Sequence, residues 1–128
     1  MREIVKTDQA PDDIGPFSQA IRANGFLFVS GQIPMDPKTR ELSRGGLIEQ
    51  AELVLRNLAA VLEAGGSSLD SVVKVGVFLK DMSEFARFND VYARFFPEPR
   101  PARTTVEAAR LPKDILVEID AIALVGPR

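Results

Sequence analysis

Between Gly46 and Gly66 the chain changes period, and this limits its fold more than any other feature. Leu47, Ala51, Val54, Leu55, Leu58 and Leu62 recur at helical spacing and form one apolar stripe. Glu49, Glu52, Arg56 and Glu63 fall largely off that stripe. Gly65-Gly66 then stops the helix in the manner of a C-terminal cap. Val72 to Leu79 follows as a β-branched run, and its near-continuous apolarity predicts a strand buried on both faces. A strand at 26–30 precedes the helix. The connection from 26–30 through 46–64 to 72–79 is long enough for a crossover, which would be right-handed if the two strands are parallel.

The remaining segments fit around this unit. Residues 2–6 read as an edge strand, 7–16 as irregular loop, and 17–23 as a strand. Asn24-Gly25 is a strong two-residue hairpin signal between 17–23 and 26–30. Residues 31–39, with two prolines and a glycine, break regular structure. Asp81-Met82-Ser83-Glu84 has capping-box spacing. It opens a second helix to about residue 96, with Phe85, Phe88, Tyr92 and Phe95 as its apolar stripe. Pro97, Pro99 and Pro101 form a stiff connector. The tail 126–128 is expected to be unpacked. Strands and helices mix around one sheet, so residues 1–128 are expected to be one α+β domain.

What the chain lacks narrows its chemistry. Its 128 residues include no Cys and no His. Thiolate nucleophiles, zinc–thiolate sites, Ser-His-Asp triads and histidine metal ligands are therefore excluded. A hard-cation site made of carboxylates alone survives. The net charge of −2 argues against nucleic-acid binding by bulk electrostatics. No apolar run approaches the roughly 20 residues that span a bilayer. Residues 1–6 hold no signal-peptide core, so a cytoplasmic location is expected. Any catalysis runs on Arg, Lys, Asp, Glu, hydroxyls, backbone amides and water.

Residues 101–121 carry charge where a core strand needs none. They read as two strands joined at Pro112-Lys113-Asp114. Period-2 alternation puts Arg103, Thr105 and Glu107 on one face of the first, and Glu118 and Asp120 on one face of the second. Arg103 suits a carboxylate clamp, since a guanidinium meets a carboxylate through two parallel hydrogen bonds; it equally suits an exposed strand end. Glu118 suits proton transfer or water positioning, or a solvated sheet face. Asp120 has the same alternatives and could pair with a nearby cation. Ser30-Gly31 closes a strand, where Gly31 permits a close backbone approach or simply makes a turn. Asn89 reads as a surface polar residue beside the second helix's stripe. Lys74 and Lys113 read as solvated lysines rather than Schiff-base amines. If 103–109 and 115–121 pair as a hairpin, Glu118 lies near Glu107 and about 13 Å from Arg103. The two would then serve one small substrate more easily from different chains.

Several separated motifs resemble the Rid family (reactive intermediate/imine deaminases, the YjgF/YER057c/UK114 family). They are Ala10-Pro11 with Ile14-Gly15-Pro16-Phe17-Ser18-Gln19, Val29 to Pro34, Val73-Lys74 with Val77 to Asp81, Phe85 with Asn89 and Tyr92, Pro101-Ala102-Arg103, Val106-Glu107, Ala109 to Asp114, and Glu118-Ile119 with Ala121-Ile122-Ala123. The resemblance covers essentially the whole chain. It implies a chorismate-mutase-like α+β fold, two helices on a mixed sheet, and a barrel-like homotrimer with sites between subunits. It implies hydrolysis of 2-iminobutanoate and 2-iminopropanoate, which pyridoxal-phosphate enzymes release, to 2-oxo acids and ammonia. No metal or organic cofactor is implied.

Carried over by position, the resemblance gives Arg103 the substrate carboxylate and Glu118 the water or the departing nitrogen. Phe17, Ser30, Gly31, Asn89 and Thr105 would line the pocket. Two positions depart from the family pattern. Members with this activity usually have Tyr where Phe17 stands, and many have Cys where Thr105 stands. Two other functions stay open: a non-catalytic module binding 2-oxo or amino acids, and an RNA-cleaving or translation-affecting role proposed for some relatives.

Overall fold

The computed structural model describes residues 1–12 and 15–126. Ile14 of the family motif and the tail residues Pro127 and Arg128 lie outside the described residues. Eight principal elements follow in order: β1 (Glu3–Val5), β2 (Ala20–Ala23), β3 (Phe26–Gln32), α1 (Leu47–Ala64), β4 (Val72–Leu79), α2 (Phe85–Phe95), β5 (Ala102–Glu107) and β6 (Val117–Leu124). The strands form one mixed sheet in the order β1-β2-β3-β6-β4-β5. Two helices on a mixed six-stranded sheet make the fold α+β, as expected.

Local chemistry sets most boundaries. Asn24 (φ 52°) and Gly25 (φ 80°) both occupy the left-handed region, as a two-residue hairpin turn requires. They pair Ala23 with Phe26. The strand before this turn begins at Ala20 rather than at residue 17, because residues 15–18 stay irregular after Pro16. At the end of α1, Gly66 (φ 82°) lets the Ser67 N–H donate to Leu62 O (2.8 Å) and the Gly66 N–H to Glu63 O (3.1 Å). This is a Schellman cap. The predicted stripe of α1 is buried throughout, with Val61 added. Each buried Leu or Val contributes about 1.5–3 kcal/mol of transfer free energy.

The second helix departs from expectation. A 3₁₀ turn, Met82–Glu84, precedes α2, and Asp81 caps it by accepting from the Ser83 N–H (2.9 Å). Glu84 accepts from Arg87 instead of closing the capping box (2.6 Å). Val91 and Phe96 join Phe88 and Tyr92 in the core, Phe95 packs partly buried against it, and Phe85 stays exposed. Phe85, at 40% exposure, lies against the Arg103 guanidinium, whose Cζ is 5.5 Å from its ring centroid.

The topology corrects the 101–121 hairpin. β5 and β6 do not pair with each other. β4 lies between them, parallel to β5 and antiparallel to β6. Helix α2 supplies the crossover that brings β5 parallel to β4. β3 and β4 are both antiparallel to β6, hence parallel to each other.

Helices α1 and α2 cover one face of the sheet. Val75, Val77 and Leu79 of β4 and Val117, Ile119, Ala121 and Ala123 of β6 point into that core. On the other face of β4, Lys74, Gly76 and Phe78 are only partly buried, so the expectation of burial on both faces holds for one face within a single copy. Phe26, Phe28, Val106 and Leu124 are exposed there. A smaller cluster of Ile33, Met35, Leu111 and Ile115 covers the end nearest Phe78.

Candidate functional site

Parity along the strands sorts the candidate residues into two places. Arg103 pairs with Val75 and Thr105 with Val77, so both point to the helix-covered side. Glu118 pairs with Phe78 and Asp120 with Gly76, so both point to the open side. The expectation that Arg103, Thr105 and Glu107 share a face is met, as it is for Glu118 and Asp120. The expected nearness of Glu118 to Glu107 is not: β4 separates their strands, and Glu107 instead accepts from the Met82 N–H (2.8 Å).

On the open side, a pocket of about 230 Å³ contains Phe17, Ser30, Gly31 and Glu118 among its lining. Pro11, Ile33 and Pro112 make much of its remaining wall apolar. The pairing of β3 with β6 slips between Val29 and Gln32, placing Ser30 and Gly31 in a bulge beside Glu118. Glycine at 31 leaves the Glu118 carboxylate its place, since a Cβ there would overlap it. Gly76 likewise makes room for the Asp120 carboxylate. Burial pushes the Glu118 carboxyl above the ordinary carboxylate range, and the charge of Asp120 adds to this. Burial also raises Asp120, against the Gly76 and Asp120 N–H groups and the Lys74 charge, which pull it down. The Ser30 hydroxyl donates to Ser18 O (2.6 Å), so its free capacity is as an acceptor.

Gln19 holds this pocket's wall, a role the sequence reading did not give it. It is 3% exposed. Its amide accepts from the Thr7 N–H (2.7 Å) and donates to Thr7 O (3.1 Å) and Pro11 O (2.8 Å). The signal available was a lone amide in an otherwise apolar stretch before β2.

On the helix side, a second pocket of about 360 Å³ is lined by Asn89, Tyr92, Ala93, Arg100, Pro101 and Arg103. Arg103 forms no salt bridge among the described residues. Its Nη2 donates to Asn89 Oδ1 (2.7 Å). Its Cζ lies 4.6 Å from the ring centroid of Tyr92, 5.5 Å from that of Phe85 and 5.6 Å from that of Phe88. Asn89 therefore meets Arg103 rather than only solvent. Among the described residues, the Tyr92 and Thr105 hydroxyls are buried without a hydrogen-bond partner of good geometry. Burial raises the Tyr92 phenol further above its ordinary range, despite the neighbouring Arg103 charge, so it stays neutral.

The two pockets share no lining residue. One offers a cation with no salt bridge among the described residues, and the other a carboxyl group whose pKa burial raises. Within one copy the structure brings Arg103, Asn89 and Thr105 together, and separately Phe17, Ser30, Gly31 and Glu118. Among the described residues, no group of three or more carboxylates is placed to hold a metal. No helix of the described chain is long and apolar enough to cross a membrane.

The family model described as Endoribonuclease L-PSP, which covers the Rid proteins, matches residues 7–125. The chain belongs to the Rid family. Among its Rid relatives is the RutC family protein PH0854 of Pyrococcus horikoshii, 56% identical over 96% of this chain and 98% of that protein. The 2-iminobutanoate/2-iminopropanoate deaminase of Mus musculus is 40% identical over 99% of this chain and 94% of the mouse protein. A crystal structure of E. coli TdcF with bound serine superposes with a TM-score of 0.92 at 41% identity, covering 97% of this chain and 99% of that one. The Rid family thus includes an imine deaminase and a member seen with a small amino acid.

Proposed function

We propose that this Rid protein is a 2-iminobutanoate/2-iminopropanoate deaminase of the cytoplasm, acting as a homotrimer with each site between two copies. The observation that carries this is the division of complementary chemistry. Arg103 is a partly buried cation with no ion pair among the described residues, and Glu118 is a carboxyl group whose pKa burial raises, on the opposite face of the sheet. Joined across an interface, they meet both needs of a small imino acid. The mouse deaminase and the serine-bound TdcF structure support a small imino- or amino-acid ligand.

In this reading Arg103 holds the substrate carboxylate by paired hydrogen bonds. The iminium carbon is already electrophilic, so water held beside Glu118 attacks it. Glu118 takes a proton from that water and returns it to nitrogen. The carbinolamine hydroxyl then gives its proton to Glu118 as the C–N bond breaks, leaving the 2-oxo acid, and the departing ammonia carries off the iminium's extra proton as ammonium. One imine and one water become one 2-oxo acid and one ammonia, and this step requires no redox partner or organic cofactor.

The test generates 2-iminobutanoate from threonine with a dehydratase and follows imine loss with and without the protein. Acceleration that Arg103→Ala abolishes is expected. A second reading, a carboxylate-binding module without turnover, is favoured by Phe17, which places no hydroxyl in the Glu118 pocket. Binding of 2-oxobutanoate without acceleration would select it.

A further inference from the structure

Asn89 and Tyr92 are three residues apart on α2, and Phe85 and Phe88 complete the same side at helical spacing. All four meet the guanidinium of Arg103, which arrives from β5. The rings lie 4.6, 5.5 and 5.6 Å from Cζ, within the range of cation–π attraction. Of the five guanidinium donors, Asn89 Oδ1 takes one, at 2.7 Å. Ring packing restricts the guanidinium plane, and one hydrogen bond restricts rotation within it.

We propose that Tyr92 is a positioning residue for Arg103: its ring, with Phe85 and Phe88 beside it and Asn89 as tether, sets the guanidinium before any ligand arrives. The anchor is then pre-organised, and binding need not order a free arginine side chain. We assign this to the ring rather than the hydroxyl: the hydroxyl lies near Arg103 and feels its charge, but no hydrogen bond of good geometry joins them. The ligand consequence rests on reading Arg103 as the carboxylate anchor; the posture of Arg103 does not.

Two measurements separate these. The first is nuclear magnetic resonance of the Arg103 Nε–H group in the ligand-free protein, assigned by its loss in Arg103→Lys. A resonance displaced by ring current from the position of free arginines is expected. It moves back in Tyr92→Leu and stays in place in Tyr92→Phe. The second is calorimetric titration with 2-oxobutanoate together with imine-hydrolysis kinetics. Tyr92→Leu should raise Kd and KM about tenfold, the order of one desolvated cation–π contact, with kcat within about twofold. Tyr92→Phe should restore both.

Phe85→Ala, at a position 40% exposed, should shift the resonance in the same direction even if Tyr92→Leu fails to fold. An Arg103 resonance at the free-arginine position in the wild-type protein overturns the proposal. So does a Tyr92→Phe variant as impaired as Tyr92→Leu. Absence of 2-oxobutanoate binding by wild-type protein with a displaced resonance leaves the positioning intact and removes the functional reading instead.

Discussion

Arg103 and Glu118 stand on opposite faces of one sheet, with β4 between their strands. No side-chain movement joins them within a copy. The proposed site therefore needs Arg103 from one protomer and Glu118 from another.

Subunit mixing tests this. Arg103→Ala and Glu118→Gln are each expected to be inactive alone. Refolded together, they should recover about one quarter of wild-type imine hydrolysis, because one head-to-tail interface in four receives both intact residues. A mixed sample that scrambles its subunits yet stays inactive would rule out half-sites joined across copies.

Gly31→Ala should act on chemistry more than on folding. The added Cβ overlaps the Glu118 carboxylate and pushes it from its place. The backbone of Gly31 lies outside the left-handed region, so alanine introduces no dihedral strain there. A fall in kcat on the order of 10², with unchanged circular dichroism, is expected for displacement of a proton-transferring group. Steady-state kinetics decides it.

Glu118 should make the protein less stable as pH rises. Its folded pKa is raised above the ordinary value of 4.5, so the native state binds more protons than the unfolded state in the window above that value. Stability is then fully present below about pH 4.5 and is lost as pH rises through the folded pKa. Glu118→Gln removes this titration. Thermal unfolding of the variant should exceed wild type at pH 7, with the gap closing toward pH 4. A gap that widens on acidification would contradict the assigned direction.

Asn57→Ala should destabilise the pocket wall from behind. Asn57 is 2% exposed. Its Nδ2 donates to Ile33 O (3.1 Å) and Met35 O (2.9 Å). Stranding these carbonyls costs about 1–3 kcal/mol, and Ile33 lines the Glu118 pocket. Urea denaturation should show the loss at unchanged m-value.

Local structure was legible where one residue type has one physical solution. Asn24-Gly25 allowed little but a tight hairpin, and the α1 stripe ended at the glycine that caps it. Alternation also grouped Arg103 with Thr105, and Glu118 with Asp120, because parity depends only on the strand itself. Partner choice was not legible. Residues 101–121 suggested a hairpin because the two strands are consecutive, yet β4 enters between them through contacts distant in sequence. The separation of Arg103 from Glu118 was thus expected, but for a register that does not exist. Tyr92 read as core from its spacing. Its contact with Arg103 depends on where the α2 crossover lays the helix, which spacing along one helix cannot express.

β4 carries a consequence for how such a site could change. One eight-residue strand sets the register of both β5 and β6. The placement of Arg103 relative to Glu118 inside a copy is therefore held by backbone hydrogen bonds that substitutions at the pockets leave alone. On the proposed reading, the gap that a substrate spans is measured between copies. Substrate length then becomes a property of how protomers seat, and substitutions at the contact surface, far from either pocket, could retune it.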